Sequence, residues 1–371
     1  MYGVRVYYYF DLNEHGACPM WPKNTESLIA KLQIQHPIIQ APMAGATHPN
    51  LVAAVANAGG LGSIPAGYLS AAKLKEYIRA VRAQTKNPIS VNLFVPEQSV
   101  SLTKGVEESK AIVRECCEAL GLPASFAEYN ASNFDEQLAV VLEENIPIVS
   151  FTFGIPSKEV IRQLKQKNTY LLGTATTPRE AIAFAEQDFD AIIAQGSEAG
   201  GHRGAFLKPV NHSLIGTMAL IPEMVQAVSL PIIAAGGIMN GQGIAAALQL
   251  GASLVQMGTA FLPCHENELN AAYQQRLLTA KAEDTILTSV VSGKTVRGIE
   301  NVLMMRLSAL GENVPDYPVQ HYLTQNLRRD AANQGNSDYM TLWAGQGVEL
   351  SRVLSVDELI MCLLREANPL Q

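Results

Sequence analysis

The residues best placed to do chemistry lie in one stretch, Ala191-Ile-Ile-Ala-Gln-Gly-Ser-Glu-Ala-Gly-Gly-His-Arg-Gly204. An apolar run leads directly into a loop in which Gly196, Gly200, Gly201 and Gly204 let the backbone approach a ligand closely. His202 sits in that loop, and its side chain is the common one that titrates near neutrality, so facing a ligand it is a natural proton handler. A histidine that only hydrogen-bonds its own loop is the competing reading. Two further stretches, Ala234-Ala-Gly-Gly-Ile238 and Gln256-Met-Gly-Thr-Ala260, each end an apolar run in glycine. Backbone N–H groups freed by glycine and aimed by a helix N-terminus bind phosphate without lysine, which neither stretch contains. The alternative at Gly236 and Gly237 is a tight strand-to-helix turn. Asn92 and Gln195 are amides in otherwise apolar strands, where burial without partners is costly. Either a ligand or neighbouring backbone must satisfy them. Gln40-Ala-Pro-Met43 ends another apolar run with Pro42 stiffening the turn, and Met43 there suits core packing as well as a ligand. Glu198 reads as a solvated loop carboxylate, with tuning of His202 as the alternative. Tyr317, within Val314-Pro-Asp-Tyr-Pro318, and Tyr322 beyond it either reach the site from the tail or pack in an exposed turn. No His/Asp/Glu cluster has metal-ligand spacing, so no metal is expected, and neither a Gly-x-Ser-x-Gly elbow nor a strand-borne Gly-x-Gly-x-x-Gly occurs.

The elements that must position these residues alternate in type. Short apolar runs begin at Pro37, Gly60, Ile89, Pro147, Tyr170, Ala191, Pro231 and Leu254, separated by helical patterns such as Asn50 to Asn57, Ala71 to Ala83, Pro178 to Gln187 and Gly243 to Leu250. Ser70, Thr177 and Asn240 are suited to cap the last three. Eight strand-helix units predict an α/β fold, a TIM (β/α)8 barrel, with the glycine-bearing ends of strands seven and eight at the usual phosphate position of that fold. The barrel is expected over 25–280. A helical insertion over 96–133 follows strand three, its helix running from about Val106 to Leu120, because a bare loop of that length is uncommon. The loop 197–219 is placed to close over a substrate. Residues 281–371 are expected as a C-terminal helical extension packing near the site, and 1–24 as an N-terminal extension, with Met20 a candidate start.

The composition, 48% hydrophobic and 16% charged over 371 residues, is that of a globular protein with a large core. A net charge of -7 with no basic face excludes a nucleic-acid footprint. No apolar run approaches the roughly 18 residues of a membrane span. Cys18, Cys116, Cys117, Cys264 and Cys362 match no zinc or redox spacing, which points to a reducing cytoplasm and to cysteines used as packed hydrophobes, with Cys116 and Cys117 on different sides of a helix.

Together these motifs resemble the nitronate monooxygenase family, formerly called 2-nitropropane dioxygenases, over nearly all of residues 25 to 365. The resemblance is carried by Pro37-Ile-Ile-Gln-Ala-Pro-Met-Ala-Gly45, Val91-Asn-Leu-Phe94, Ser150-Phe-Thr-Phe-Gly154, Gln195 to Gly204, Ala235-Gly-Gly-Ile238 and Gln256-Met-Gly-Thr259. The tail segment Leu342-Trp-Ala-Gly-Gln346, with Asp316-Tyr-Pro318, is similar to the class I branch. The resemblance implies a barrel holding non-covalent FMN and oxidation of alkyl nitronates by dioxygen. Propionate 3-nitronate, a metabolic poison, is the implied substrate, and a carbonyl compound with nitrite or related nitrogen oxides the product. It implies His202 as the catalytic residue and Pro42, Met43, Asn92, Gln195, Gly200, Gly201, Gly236, Gly237, Gln256, Met257, Gly258 and Thr259 as FMN contacts. Tyr317 would touch substrate. The implied assembly is a monomer or homodimer. FMN-dependent enoyl-acyl-carrier-protein and quinone reductases share the histidine segment or the scaffold, and the tail is what separates this chain from them. A phosphate-binding isomerase barrel without flavin is the remaining alternative.

Overall fold

Eight short apolar runs become eight parallel strands of one sheet in the computed structural model, which describes residues 21–97, 100–127 and 134–367. They are β1 (Ile38–Gln40), β2 (Gly62–Pro65), β3 (Ile89–Phe94), β4 (Ile148–Thr152), β5 (Tyr170–Ala175), β6 (Ala191–Gln195) and, after a two-residue strand β7 (Gly201–His202) in a second sheet, β8 (Ile232–Ala235) and β9 (Leu254–Met257). The spatial order is β1-β9-β8-β6-β5-β4-β3-β2. The sheet then returns on itself, since Leu61 N donates to Ile38 O at 3.0 Å and Gln40 N to Leu61 O at 2.9 Å. This is the TIM barrel. Both faces of each strand are covered, which is why the strands read as near-continuous apolar runs rather than alternating ones. Ile39, Leu61, Ile193 and Ile233 fill the barrel interior together with Leu28 and Leu32 of the helix Lys23–Leu32. That helix therefore belongs to the barrel, although it opens inside the expected extension 1–24. The rest of that extension, with Cys18 and Met20, lies outside the described residues.

Side chains named by the sequence start the outer helices. Ser70 Oγ accepts from Lys73 N, Thr177 Oγ1 from Glu180 N and Asn240 Oδ1 from Gly243 N, each satisfying a free N–H of a first turn. The insertion contributes the helix Val106–Ala119, and 98–99 and 128–133 within its expected range lie outside the described residues.

The expectation of a purely helical tail is corrected. It opens with β10 (Thr285–Thr288) and β11 (Val296–Ile299), an antiparallel pair to which β7 is added, with Val296 opposite His202. Runs of four residues are too short to show a strand period, and these are stabilised by a partner 90 positions away. Helices follow at Val302–Leu307, Val319–Asn333 and Val356–Ala367. The tail and the insertion form one cap, in which Val113 packs with Leu303, Leu307 and Leu327 and Ser109 Oγ donates to Gln320 Oε1 at 2.7 Å. Cys116 and Cys117 are consequently both buried rather than split between inside and outside, because the tail covers both flanks of their helix.

Candidate active site

One cavity opens at the carboxyl ends of the strands, with an empty volume of about 1200 Å3 including its mouth. Its walls are the strand ends themselves: Pro42 and Met43 after β1, Asn92 on β3, Gln195 on β6, Gly236 and Gly237 after β8, and Gln256 to Thr259 on and after β9. Gly200, Gly201 and His202 enter from the β6–β7 connection. The tail supplies Trp343, Gly345 and Gly347. Tyr317 stands just behind, its ring centroid 5.9 Å from that of His202. Among the described residues, no Asp, Glu, Lys or Arg lines the cavity.

His202 is not on a mobile loop. Its backbone is paired with Val296, and Arg203 N donates to Thr295 O at 2.9 Å. The next side chain locks the connection further. Arg203 is wholly buried and its guanidinium donates to Gly196 O at 2.5 Å, Gln195 O at 3.0 Å and Ser213 O at 3.0 Å. The His202 ring lies among Phe153, Tyr317 and Trp343, and its Nε2 is 2.8 Å from Ser292 Oγ. Burial pushes the His202 pKa down to about 3, with the positive charges of Lys294 and Arg328 adding to the effect. The ring is therefore neutral at physiological pH. Ser292 sets its tautomer: with the serine hydroxyl donating to Lys294 O, at 3.1 Å, Nε2 must carry the proton, and with the hydroxyl turned to Nε2 the proton moves to Nδ1.

Several expected residues serve the site differently from a direct ligand contact. Gln195 bonds its own loop, donating to His202 O at 3.0 Å and accepting from Gly204 N at 2.8 Å, the backbone reading of that amide, and still lines the cavity. A Cβ at Gly200 would meet Gly345 N at 2.5 Å and Ala344 C at 2.6 Å, so this glycine admits the tail. Glu198 is no solvated carboxylate. It accepts from Thr217 N at 2.9 Å and Thr217 Oγ1 at 2.8 Å at the start of the helix Thr217–Ala227, where the helix dipole favours a negative charge. The helix after β8 has its first N–H groups taken by Asn240 and by Glu366, which accepts from Gly241 N at 2.9 Å, so its N-terminus is not free for a phosphate. The N–H groups of Gly236 and Gly237, held at φ of 116° and 72°, find no acceptor among the described residues. The Gln256 amide is likewise without a partner there, whereas Asn92 Nδ2 donates to Ser150 Oγ at 2.9 Å and Thr152 Oγ1 at 3.1 Å.

The sequence did not single out Ser292, Lys294, Tyr68, His321 or Arg328. Tyr68 lines the cavity and stacks on His321 with centroids 4.0 Å apart. Lys294 Nζ lies 4.5 Å from the centre of the Phe153 ring and pairs with Glu97. These residues come from β2–helix, β10–β11 and tail segments without a motif of their own.

A (β/α)8 barrel with a neutral histidine, freed glycine N–H groups and an uncharged lining at its strand ends has the architecture of a small-molecule enzyme. Residues 25–366 match the nitronate monooxygenase family, and the chain belongs to it, a family of oxidoreductases. It is 44% identical over 340 residues to a probable nitronate monooxygenase of Staphylococcus saprophyticus, covering 91% of this chain and 96% of that one. A probable nitronate monooxygenase of Staphylococcus aureus is 42% identical over 351 residues, with 94% and 98% covered. Among solved structures it is similar to nitroalkane oxidase from Streptomyces ansochromogenes, with TM-score 0.85, 37% identity and coverage of 92% and 97%. FabK from Thermotoga maritima superposes with TM-score 0.74 at 28% identity, covering 92% and 96%.

Proposed function

We propose that the protein is a cytoplasmic, FMN-dependent nitronate monooxygenase that oxidises alkyl nitronates such as propionate 3-nitronate with dioxygen to a carbonyl compound and nitrite or related nitrogen oxides. The observation that carries this reading is the pairing, in one pocket, of unsatisfied glycine N–H groups with a buried, neutral His202. The residues present fit the cofactor. Gly236 and Gly237 offer N–H donors suited to a phosphate, and Gly258 lies against Ala41 and Met43 on the cavity wall, where a Cβ would be 3.5 Å from Ala41 Cβ and 3.7 Å from Met43 Sδ. Pro42, Met43, Asn92, Gln256, Met257, Gly258 and Thr259 would lie along FMN, with Gly201, Gly200 and Gln195 supporting the histidine connection beside it. FMN supplies the capacity to take electrons from the substrate and pass them to dioxygen.

The chain's own groups orient and desolvate the substrate. A nitronate is already ionised and needs no base, which suits His202, since a general base works best with a pKa near the operating pH and this one lies far below. An anionic oxygen favours the tautomer in which Ser292 donates to Nε2 and the Nδ1–H of His202 donates to the nitronate. Removal of the α-proton from a neutral nitroalkane by the Nδ1 lone pair is correspondingly disfavoured. Tyr317 closes the same side of the pocket, 5.5 Å from Phe153 between ring centroids.

The test is oxygen consumption by FMN-loaded protein with propionate 3-nitronate, run beside NADH and NADPH oxidation. Nitronate-dependent uptake without nicotinamide oxidation is expected. Nicotinamide oxidation without nitronate turnover would replace this reading by an FMN-dependent reductase, the alternative that the similarity to FabK favours.

A further inference from the structure

Tyr68 carries a part-buried hydroxyl that the site described so far does not use. Its one partner among the described residues is Tyr317, whose O–H donates to it across 3.5 Å, well outside the usual ~2.5–3.0 Å of an O–H···O bond. Buried phenols ordinarily find a better partner. Because Tyr317 donates, the proton of Tyr68 is left for something else in the cavity that its ring lines. The ring itself is fixed, edge-on to Phe94 and stacked flat on His321 at an interplanar angle of 11°.

Behind His321 stands a cation. Arg328 Nη2 lies 3.3 Å from His321 Nδ1 and donates to His321 O at 3.0 Å, while Nε donates to Thr324 Oγ1 at 3.1 Å. All these partners are neutral, and Arg328 joins no ion pair among the described residues. A part-buried cation without counter-charge favours a ligand that supplies the charge. The imidazole thus joins the two, its face against the phenol at the cavity and its Nδ1 edge against the guanidinium.

We propose that the Tyr68 hydroxyl is a second hydrogen-bond donor, beside His202, to the anionic oxygens of the substrate, and that Arg328 positions and biases it through the stacked His321. Tyr68 is the specificity-determining residue and Arg328 a positioning residue. The site then prefers planar oxyanions over neutral analogues, because a buried donor left unpaired penalises a ligand that lacks the acceptor. The proposal rests on the reading above in taking the substrate as an anion.

Inorganic nitrate, a planar oxyanion that is not turned over, serves as the probe, titrated calorimetrically into the FMN-loaded protein. Tyr68→Phe keeps the ring and its stacking and is expected to weaken nitrate about tenfold or more, the size of one hydrogen bond to a charged group. It should also raise KM for propionate 3-nitronate more than it lowers kcat. Arg328→Met should weaken nitrate in the same direction and Arg328→Lys restore part of the loss, whereas a purely structural arginine would lower the melting temperature without that charge-dependent rescue. Nitrate bound equally by wild type and Tyr68→Phe overturns the proposal. Loss of nitrate binding in Tyr68→Phe, together with no nitronate turnover by wild type, would uphold the anion site and reject the functional reading instead.

Discussion

The two walls of the cavity are built on different principles. The wall formed by the ends of β8 and β9 is backbone and neutral amide: Gly236, Gly237, Gln256, Gly258 and Thr259, all within a few residues of a barrel strand. The other wall is side chain: His202 and Tyr68 at the cavity, backed by Tyr317, His321, Lys294 and Arg328, gathered from β7, the segment after β2, the β10–β11 turn and the tail. A wall of backbone donors suits a cofactor that every member of a fold can share. A wall of side chains brought by an appendage suits the choice of substrate. Arg203, which clamps three carbonyls, and the tail segment Ala344–Gly345, which touches both Gly200 and Thr259, hold the two walls in register.

Substitutions can break one wall while sparing the other. His202→Asn is expected to keep bound FMN but lose on the order of 100-fold or more in turnover with nitronate, since it removes the group that touches substrate. Unchanged turnover at equal flavin content would take His202 out of the account. Gly200→Val should damage both walls, because its side chain meets the backbone of Ala344 and Gly345 below 3 Å. A destabilisation of ~1–3 kcal/mol by overpacking is expected, read as a lower Tm together with weaker FMN retention on gel filtration. Ser292→Ala leaves the flavin wall alone and should cost roughly tenfold in kcat by freeing the His202 tautomer, with FMN affinity as in wild type.

The smallest effect is one of pH. His202 is held down to about 3, and burial also lowers His36 and His321 below 6.5, so the folded chain stays neutral at these rings where the unfolded chain binds protons. Stability is therefore full above pH 6.5 and falls as the pH drops from 6.5 towards 3. Calorimetric Tm values across that window should decline, with a shallower decline in His202→Asn; equal slopes would contradict the burial of a neutral ring.

The backbone wall was legible in the sequence because its parts are local. A β-type run ending in Gly236-Gly237 or Gly258 announces both a strand and the freed backbone after it. All eight strands could be read from such runs, even though they are only three to six residues long. The substrate wall was legible only at His202 and Tyr317. Tyr68 and Ser292 acquire their roles through a ring stack and a hydrogen bond to residues 253 and 90 positions away, which no local period encodes, and Arg328 joins them only because its own helix carries His321 to Tyr68. The β10–β11 pair was missed for the same reason: its third strand is the histidine segment itself. Gln195, a polar residue in an apolar strand, finds backbone partners in its own loop, one of the two readings its sequence left open.

The central claim is that FMN in this pocket takes electrons from a nitronate held by the side-chain wall. The most direct measurement mixes the FMN-loaded protein with propionate 3-nitronate in the absence of oxygen and follows the flavin absorbance. The account predicts rapid bleaching by the nitronate, slow or none by NADH, and loss of the nitronate response in His202→Asn. Bleaching by NADH with no response to the nitronate would contradict it.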